Sequence, residues 1–474
     1  PGFIFLWCLG AQRKGMVINM ELKRYPITVA QNLLLTMLQG AKHKQVLNVC
    51  VSLLIKLDVD FNLLAQSVKE AMARDDSTRT RFTKNEDGGI EQYIVPPDDT
   101  PVRHEDFTQK SWEEADGILR EWSRQPFENR WDSPLCEVVT VAMPDGWNGI
   151  YVHTDHTICD SCAMIVLVCD IVELYASKVL GTSQPAERTS YLQSMLNDLE
   201  RAKDPKRLAK DQAFWEKMVE ADGEPLYSDI RGTGYTAPGK RWAYQEDKIQ
   251  SVGQDTYVLE PNPSERLLEF CQEQGISLNN LLLMGLRTYL SKQCGGQKDI
   301  SLRSYVSRRT SKLDRKAGGT RIHVYPCRTI MEPDITFLEG VRKITALQSR
   351  IFRHKDFDPI LVDQMLQEKW GAPANSWYQS ISLTYQPFPM RLSDDRLNHI
   401  DYRFTWYDAG TEVLPIYLTV MHRPLGVGMD FYFRYQSALY TKEDIQKLYY
   451  YLMRILFTAV EDPEITIGEM MERV

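Results

Sequence analysis

Apolar positions along this chain follow two alternating rhythms, a strand-like period of two and a helix-like period near 3.6. Residues 47–57 form a nearly unbroken apolar run of strand length. Asp60 then stands where an N-cap belongs, before a helical pattern over 61–73. The spacing predicts further helices at 111–122, 163–175, 191–202, 210–219 and 263–273. Ser277 is placed to cap a long apolar helix at 278–293, and Thr441 to cap a closing helix that runs to 459. Strands are predicted at 149–152, 300–306, 380–385, 402–406, 415–421 and 429–435. Turn-rich residues mark 181–187 as a break and 232–239 as a Gly/Pro-rich loop. No internal repeat or low-complexity tract interrupts this alternation, which suits an α/β or α+β enzyme of two lobes.

Composition agrees and narrows the function classes. A chain of 474 residues exceeds what one hydrophobic core usually supports. A formal net charge of −8, with no Lys/Arg block, excludes the basic face that nucleic acid or an anionic membrane would need. Nine scattered cysteines fit reduced thiols and a cytoplasmic location. Near the start, the apolar run Phe3–Leu9 is too short to span a bilayer and lacks a leading positive charge. Residues 1–20 are therefore expected to be a leader or remnant, with Met16 or Met20 as the start.

The chemistry concentrates at 151–162, Tyr-Val-His-Thr-Asp-His-Thr-Ile-Cys-Asp-Ser-Cys. His156 follows a predicted strand, and Asp160 lies four residues on, at the start of a predicted helix. Imidazole is the side chain that takes a proton near neutral pH, which suits acyl transfer. The aspartate can fix the loop by pairing with a cation. Metal chemistry is the competing reading, because His153, Asp155, His156, Cys159 and Cys162 are all potential ligands. Against it, the strand sends His153 and Asp155 to one face and His156 away, and no second C-x-x-C or C-x-x-H completes a closed site. No metal is therefore expected. Neither a G-x-S-x-G elbow nor a phosphate-binding G-x-x-x-x-G-K-[ST] loop occurs.

The segment Asp155-His156-Thr-Ile-Cys-Asp160-Ser161 is similar to the H-H-x-x-x-D-G core of the condensation domains of nonribosomal peptide synthetases. The resemblance continues along most of the chain. Tyr25-Pro-Ile-Thr-Val-Ala-Gln31 looks like that family's opening motif, and Arg74-Asp-Asp-Ser-Thr-Arg79-Thr-Arg-Phe82 its second. Arg309 with Gly319-Thr-Arg-Ile-His-Val-Tyr-Pro-Cys-Arg328 resembles a later one, and Tyr435 through Asp462-Pro-Glu-Ile its ending. Three residues depart: Asp155 for the first histidine, Ser161 for the glycine, and Asp75 for a histidine of the second motif. His323 stands where the family has asparagine and is read as structural.

The resemblance implies two chloramphenicol-acetyltransferase-like lobes in a V-shaped pseudodimer, with a central tunnel meeting His156. The expected division is 21–184 for the N-terminal lobe and 185–474 for the C-terminal lobe. The implied activity joins a carrier-bound acyl thioester to a small amine or alcohol, giving an amide or ester. His156 is the implied base or positioning residue. Asp160 is implied to hold the loop through Arg309, with Arg308 as its neighbour, and backbone N–H groups of the following helix are the expected oxyanion donors. Asp155 can acidify the pocket, raise the basicity of His156 or bond to the backbone, while Ser161 can cap the helix. Ser382, Tyr385 and Gln386 correspond to a tunnel-facing strand. No permanently bound cofactor is expected. The donor carries phosphopantetheine on an acyl or peptidyl carrier protein, or as coenzyme A, and the chain is expected to be a monomer. Plant-type acyltransferases share H-x-x-x-D but add D-F-G-W-G, which is missing here, favouring carrier-protein donors. Two alternatives stand beside this: a non-catalytic recruiting module, and heterocyclisation through the D-x-x-x-x-D of Asp155 and Asp160, where Ala163 replaces that group's serine.

Overall fold

The unbroken apolar character of 47–57 has a simple cause: the sheet it enters is covered on both faces. In the computed structural model, which describes residues 22–232, 239–244, 251–373, 376–387, 390–423 and 427–474, this strand is Asn48–Ile55. It lies second in a five-stranded sheet ordered Tyr402–Tyr407, Asn48–Ile55, Asn148–Asp155, Cys136–Ala142, Arg103–Asp106. One face sets Val51, Val138 and Val152 against Leu64, Val68, Met164 and Leu167 of the helices Phe61–Arg74 and Ser161–Leu180. The other sets Cys50, Val139 and Tyr151 against Ala115 and Leu119 of the helix Trp112–Ser123.

The second large sheet has six strands, ordered Ile322–Ile330, Asp299–Ser307, Ile381–Gln386, Ile416–His422, Met429–Gln436, Val252–Leu259. Here the period of two is functional. Leu302, Leu383, Leu418, Phe431 and Phe433 point to a core shared with Leu286, Leu452 and Leu456 of the helices Leu278–Gln293 and Lys442–Glu461. The intervening Arg303, Tyr305, Gln386, Thr419, Tyr432 and Arg434 line a cavity instead. Two separate large cores make this a two-lobed α/β molecule. A small sheet of Tyr25–Pro26, Ile90–Ile94 and Thr80–Lys84 completes the first half.

Capping residues set several boundaries. Asp60 accepts from the N–H of Asn62 and Leu63, and Ser111 and Thr441 form capping boxes. The helix expected at 210–219 starts earlier, as Pro205–Glu220, because Asp204 caps it and Pro205 occupies its first turn. The break expected at 181–187 is coil, opened by Gly181 in the left-handed region at φ 63°.

The largest topological surprise is Tyr402–Tyr407. The lobe division drawn from sequence assigns it to residues 185–474, yet it pairs antiparallel with Asn48–Ile55 and closes the edge of the first sheet. The expected segment 1–20 lies outside the described residues, as do 233–238 of the loop expected at 232–239. No helix among the described residues is long and apolar enough to cross a membrane.

Candidate functional site

The loop carrying His156 is tied down from both sides. Asp155 donates its N–H to the Leu135 carbonyl at 2.9 Å, and His156 donates to Leu47 at 2.7 Å. The strand Asn148–Asp155 therefore ends with its last residues fixed between its two neighbours. Asp155 is fully buried and turned away from the cavity. One carboxylate oxygen accepts from the Thr157 N–H at 3.0 Å and from its hydroxyl, and the other pairs with Arg130 at 2.6 Å. Of the readings open for Asp155, its bond to the Thr157 backbone is present, and its charge also raises the basicity of His156. His153 packs its ring 4.4 Å from that of Phe127, and burial pushes its pKa down to about 4. The Cys159 thiol instead donates to the Asp160 carbonyl at 3.4 Å. The potential metal ligands of this stretch thus turn to different partners.

Asp160, not Ser161, caps the helix Ser161–Leu180. Its Oδ1 accepts from the Ala163 N–H at 2.9 Å, and Ser161 is the first helical residue. Arg309 grips the same carboxylate with two nitrogens, Nη2 to Oδ1 at 2.9 Å and Nε to Oδ2 at 3.3 Å. The Arg321 N–H adds a bond to Oδ2 at 3.0 Å. Nη1 donates to the carbonyls of Asp314 and Ala317 at 2.8 and 2.6 Å, and Nη2 also donates to that of Gly319 at 2.7 Å. This pair is nearly excluded from solvent. It joins the loop of one lobe to a segment of the other. Arg308 is engaged elsewhere, with Asp198 and Asp356. Asp75, the third departure, is buried against Arg188 at 2.6 Å.

His156 lines a cavity of about 480 Å³ between the inner face of the six-stranded sheet, the helix Val29–Gly40 and the strand Tyr402–Tyr407. Its Nδ1 is buried with no protein hydrogen bond among the described residues. Burial lowers its pKa from the ordinary histidine value, with Asp160 and Asp155 pulling the other way and Arg434 adding to the depression. The imidazole is therefore neutral at neutral pH and able to accept a proton. Ser161 lines the same cavity, and its hydroxyl accepts from Gln386 Nε2, a second link between the lobes.

Ser382 and Tyr385 do not line this cavity. Residues 385 and 386 are consecutive in a strand, so they point to opposite faces. Tyr385 turns towards the helical core, where its hydroxyl lies 2.8 Å from His422 Nε2. Ser382 shares the inner face with Gln386 but is buried beneath the lining. His323 is fully buried in the second lobe, with Nδ1 2.8 Å from the Lys355 carbonyl. The residues that sequence reasoning missed are Arg303, Tyr305, Glu412 and Arg434, all lining the cavity. A signal for Arg434 existed: in Met429–Gln436 the face opposite Phe431 and Phe433 carries Asp430, Tyr432 and Arg434, rather than the small polar residues of a solvent face.

The family model described as Condensation domain matches residues 21–472. Surfactin synthase subunit 1 of Bacillus subtilis (strain 168) is 24% identical over 461 residues, which cover 95% of this chain and 12% of the synthase. The dimodular nonribosomal peptide synthase of the same organism is 23% identical over 437 residues, covering 89% of this chain and 18% of that protein. The chain thus spans a small fraction of these relatives. Among solved structures, the first condensation domain of the calcium-dependent antibiotic synthetase, bound to a substrate analogue, superposes with a TM-score of 0.78 at 17% identity; 94% of this chain and 98% of that one are covered. A variant of the starter condensation domain of rhizomide synthetase, in complex with C8-CoA, gives 0.78 at 19% identity, with coverage of 94% and 97%. The two lobes are accordingly of the chloramphenicol-acetyltransferase type. With its family match running nearly from end to end, this chain belongs to the condensation-domain family of nonribosomal peptide synthetases.

Proposed function

We propose that the chain is an acyltransferase that joins a carrier-bound acyl thioester to an amine or alcohol, forming an amide or ester in the assembly of a peptide or related natural product. The observation that carries this reading is His156: a neutral imidazole lining a cavity to which both lobes contribute. The thioester is already activated, so the site must mainly hold two reactants in register, and alignment of that kind can supply roughly 7–11 kcal/mol.

In this mechanism the nucleophile's N–H or O–H faces His156 as its lone pair attacks the thioester carbonyl carbon. The proton passes to the imidazole, the carbon–sulfur bond breaks, and the proton leaves with the thiolate. In the opening turn of the helix that starts at Ser161, the Ala163 N–H is taken by Asp160, and the N–H groups of Ser161 and Cys162 are the expected donors to the developing oxyanion. Asp160 and Arg309 work by position, fixing the loop and that helix end. The donor brings its phosphopantetheine on a carrier protein or as coenzyme A. The cyclisation alternative gains no support from the site, since Asp155 and Asp160 are each committed to an arginine.

The test is thiol release from a panel of acyl-pantetheine and acyl-coenzyme A donors with mixed amines and alcohols. Acceptor-dependent release is expected, falling by about 10²–10⁴-fold in His156→Ala. The acid limb of kcat/KM is expected below the ordinary histidine pKa of about 6.5. Release unchanged by the substitution would remove His156 from the mechanism.

A further inference from the structure

The inner face of the six-stranded sheet holds charge that the mechanism above does not use. Arg434 projects into the cavity from the strand Met429–Gln436. Its Nε lies 3.5 Å from Glu412 Oε2, and its guanidinium stacks over the Tyr417 ring at 4.8 Å. Both partners are themselves fixed. Glu412 Oε1 accepts from the N–H groups of Val413 and Leu414, at 3.0 and 3.1 Å, and its side chain is only 7% exposed. The Tyr417 hydroxyl is held 2.9 Å from Thr384 Oγ1, and its ring rests 5.3 Å from that of Tyr305. Glu412 thus anchors the Nε edge of a guanidinium whose plane is set by a tyrosine.

The opposite edge is uncommitted. Among the described residues, neither terminal nitrogen of Arg434 makes a hydrogen bond to a protein atom, and its side chain is 32% exposed, towards the cavity. Nor does the Tyr305 hydroxyl, which also lines the cavity, make one. Burial raises its pKa far above the usual phenol range, so it remains a donor. A guanidinium held in a fixed plane with its terminal nitrogens accessible from the cavity is pre-organised to bind there. Those nitrogens form the fork that matches a carboxylate.

We infer that Arg434, aligned by Glu412 and Tyr417 and flanked by the Tyr305 hydroxyl, recognises a carboxylate on one of the two substrates that meet in the cavity. This deepens the acyl-transfer reading and rests on it for the roles of donor and acceptor. The carboxylate can belong to an acyl donor with a terminal acid or to an acidic acceptor, and the arms of one experiment separate these sources.

The donor arm compares glutaryl-pantetheine with pentanoyl-pantetheine against a common amine. The acceptor arm compares the N-acetylcysteamine thioesters of glutamate and glutamine against pentanoyl-pantetheine. The quantity read is the ratio of kcat/KM within each pair, in which any general loss of activity cancels. One arm is expected to favour the acid in the wild-type chain, and that ratio to fall by roughly tenfold or more in Arg434→Gln. Arg434→Lys, which keeps the charge and loses the fork, is expected to retain part of it. No preference in either arm, or a preference untouched by Arg434→Gln, overturns the inference. Calorimetric binding of the same four probes to His156→Ala reads the site without turnover. A chain that transfers nothing yet binds the acidic probe through Arg434 would sink the acyl-transfer reading and keep the anion site. One that transfers without discriminating acids would do the reverse.

Discussion

Arg309 shows how much one side chain can carry. Its Nε and Nη2 satisfy Asp160, while Nη1 and Nη2 between them satisfy three carbonyls of its own segment, all out of solvent. Removing it leaves a buried carboxylate whose remaining partners are backbone N–H groups. Arg309→Ala is therefore expected to cost about 3–5 kcal/mol in urea unfolding. Arg309→Lys should cost less, since it keeps the charge while losing the fork. An alanine variant as stable as wild type would show that the pair contributes little. At this scale the sequence is readable where chemistry is local: a histidine, an aspartate and a strand-to-helix junction lie within a few residues. It misleads where a one-residue offset decides. Asp160 rather than Ser161 caps the helix, and Tyr385 turns from the cavity that Gln386 lines.

Among the elements, the segment between Arg309 and the strand Ile322–Ile330 acts as a strap across the lobes. Gly319 is its tightest point. Its φ is +83°, and a Cβ there would sit 2.1 Å from the buried Tyr191 ring. Gly275, at φ +61° with no heavy atom within 4 Å of such a Cβ, isolates the backbone cost alone. Gly275→Ala is expected to destabilise by about 1 kcal/mol and Gly319→Ala by clearly more, on the order of 3 kcal/mol, as read from urea midpoints. Equal losses would mean that Tyr191 yields freely. Most predicted elements agree with the structure to within a few residues, because each is set by its own periodicity and cap. Strand order is another matter. Nothing within 402–406 tells it to pair with Asn48–Ile55, since the deciding complementarity lies some 350 residues away in sequence, between Trp406 and Val51.

Across the whole molecule, burial holds several histidines neutral. Desolvation takes His153 to about 4, and His323, with the nearby Arg308 charge adding to burial, to about 3. In the unfolded chain each would titrate near 6.5. Below that pH the unfolded state binds protons that the folded state refuses, so the stabilisation is present above it and lost as pH falls towards the folded values. Each of the two is expected to cost about 1.4 kcal/mol per pH unit between roughly pH 6 and the folded pKa. Urea midpoints measured from pH 7 to pH 5 should fall accordingly, and the slope should lessen in His323→Asn. A flat profile would mean that these rings are hydrated in solution.

The returning strand Tyr402–Tyr407 bears on how such domains can be recombined. A cut at the coil after Gly181 looks like a natural seam for exchanging halves between relatives. It would part Asn48–Ile55 from its outer neighbour and take Trp406 and Tyr407 out of the cavity wall. A donor half would then arrive with an open sheet edge, an invitation to mispairing. Chimaeras built by lobe should therefore move residues 402–407 together with the first lobe, treating the inheritable unit as a sheet and not as a stretch of sequence.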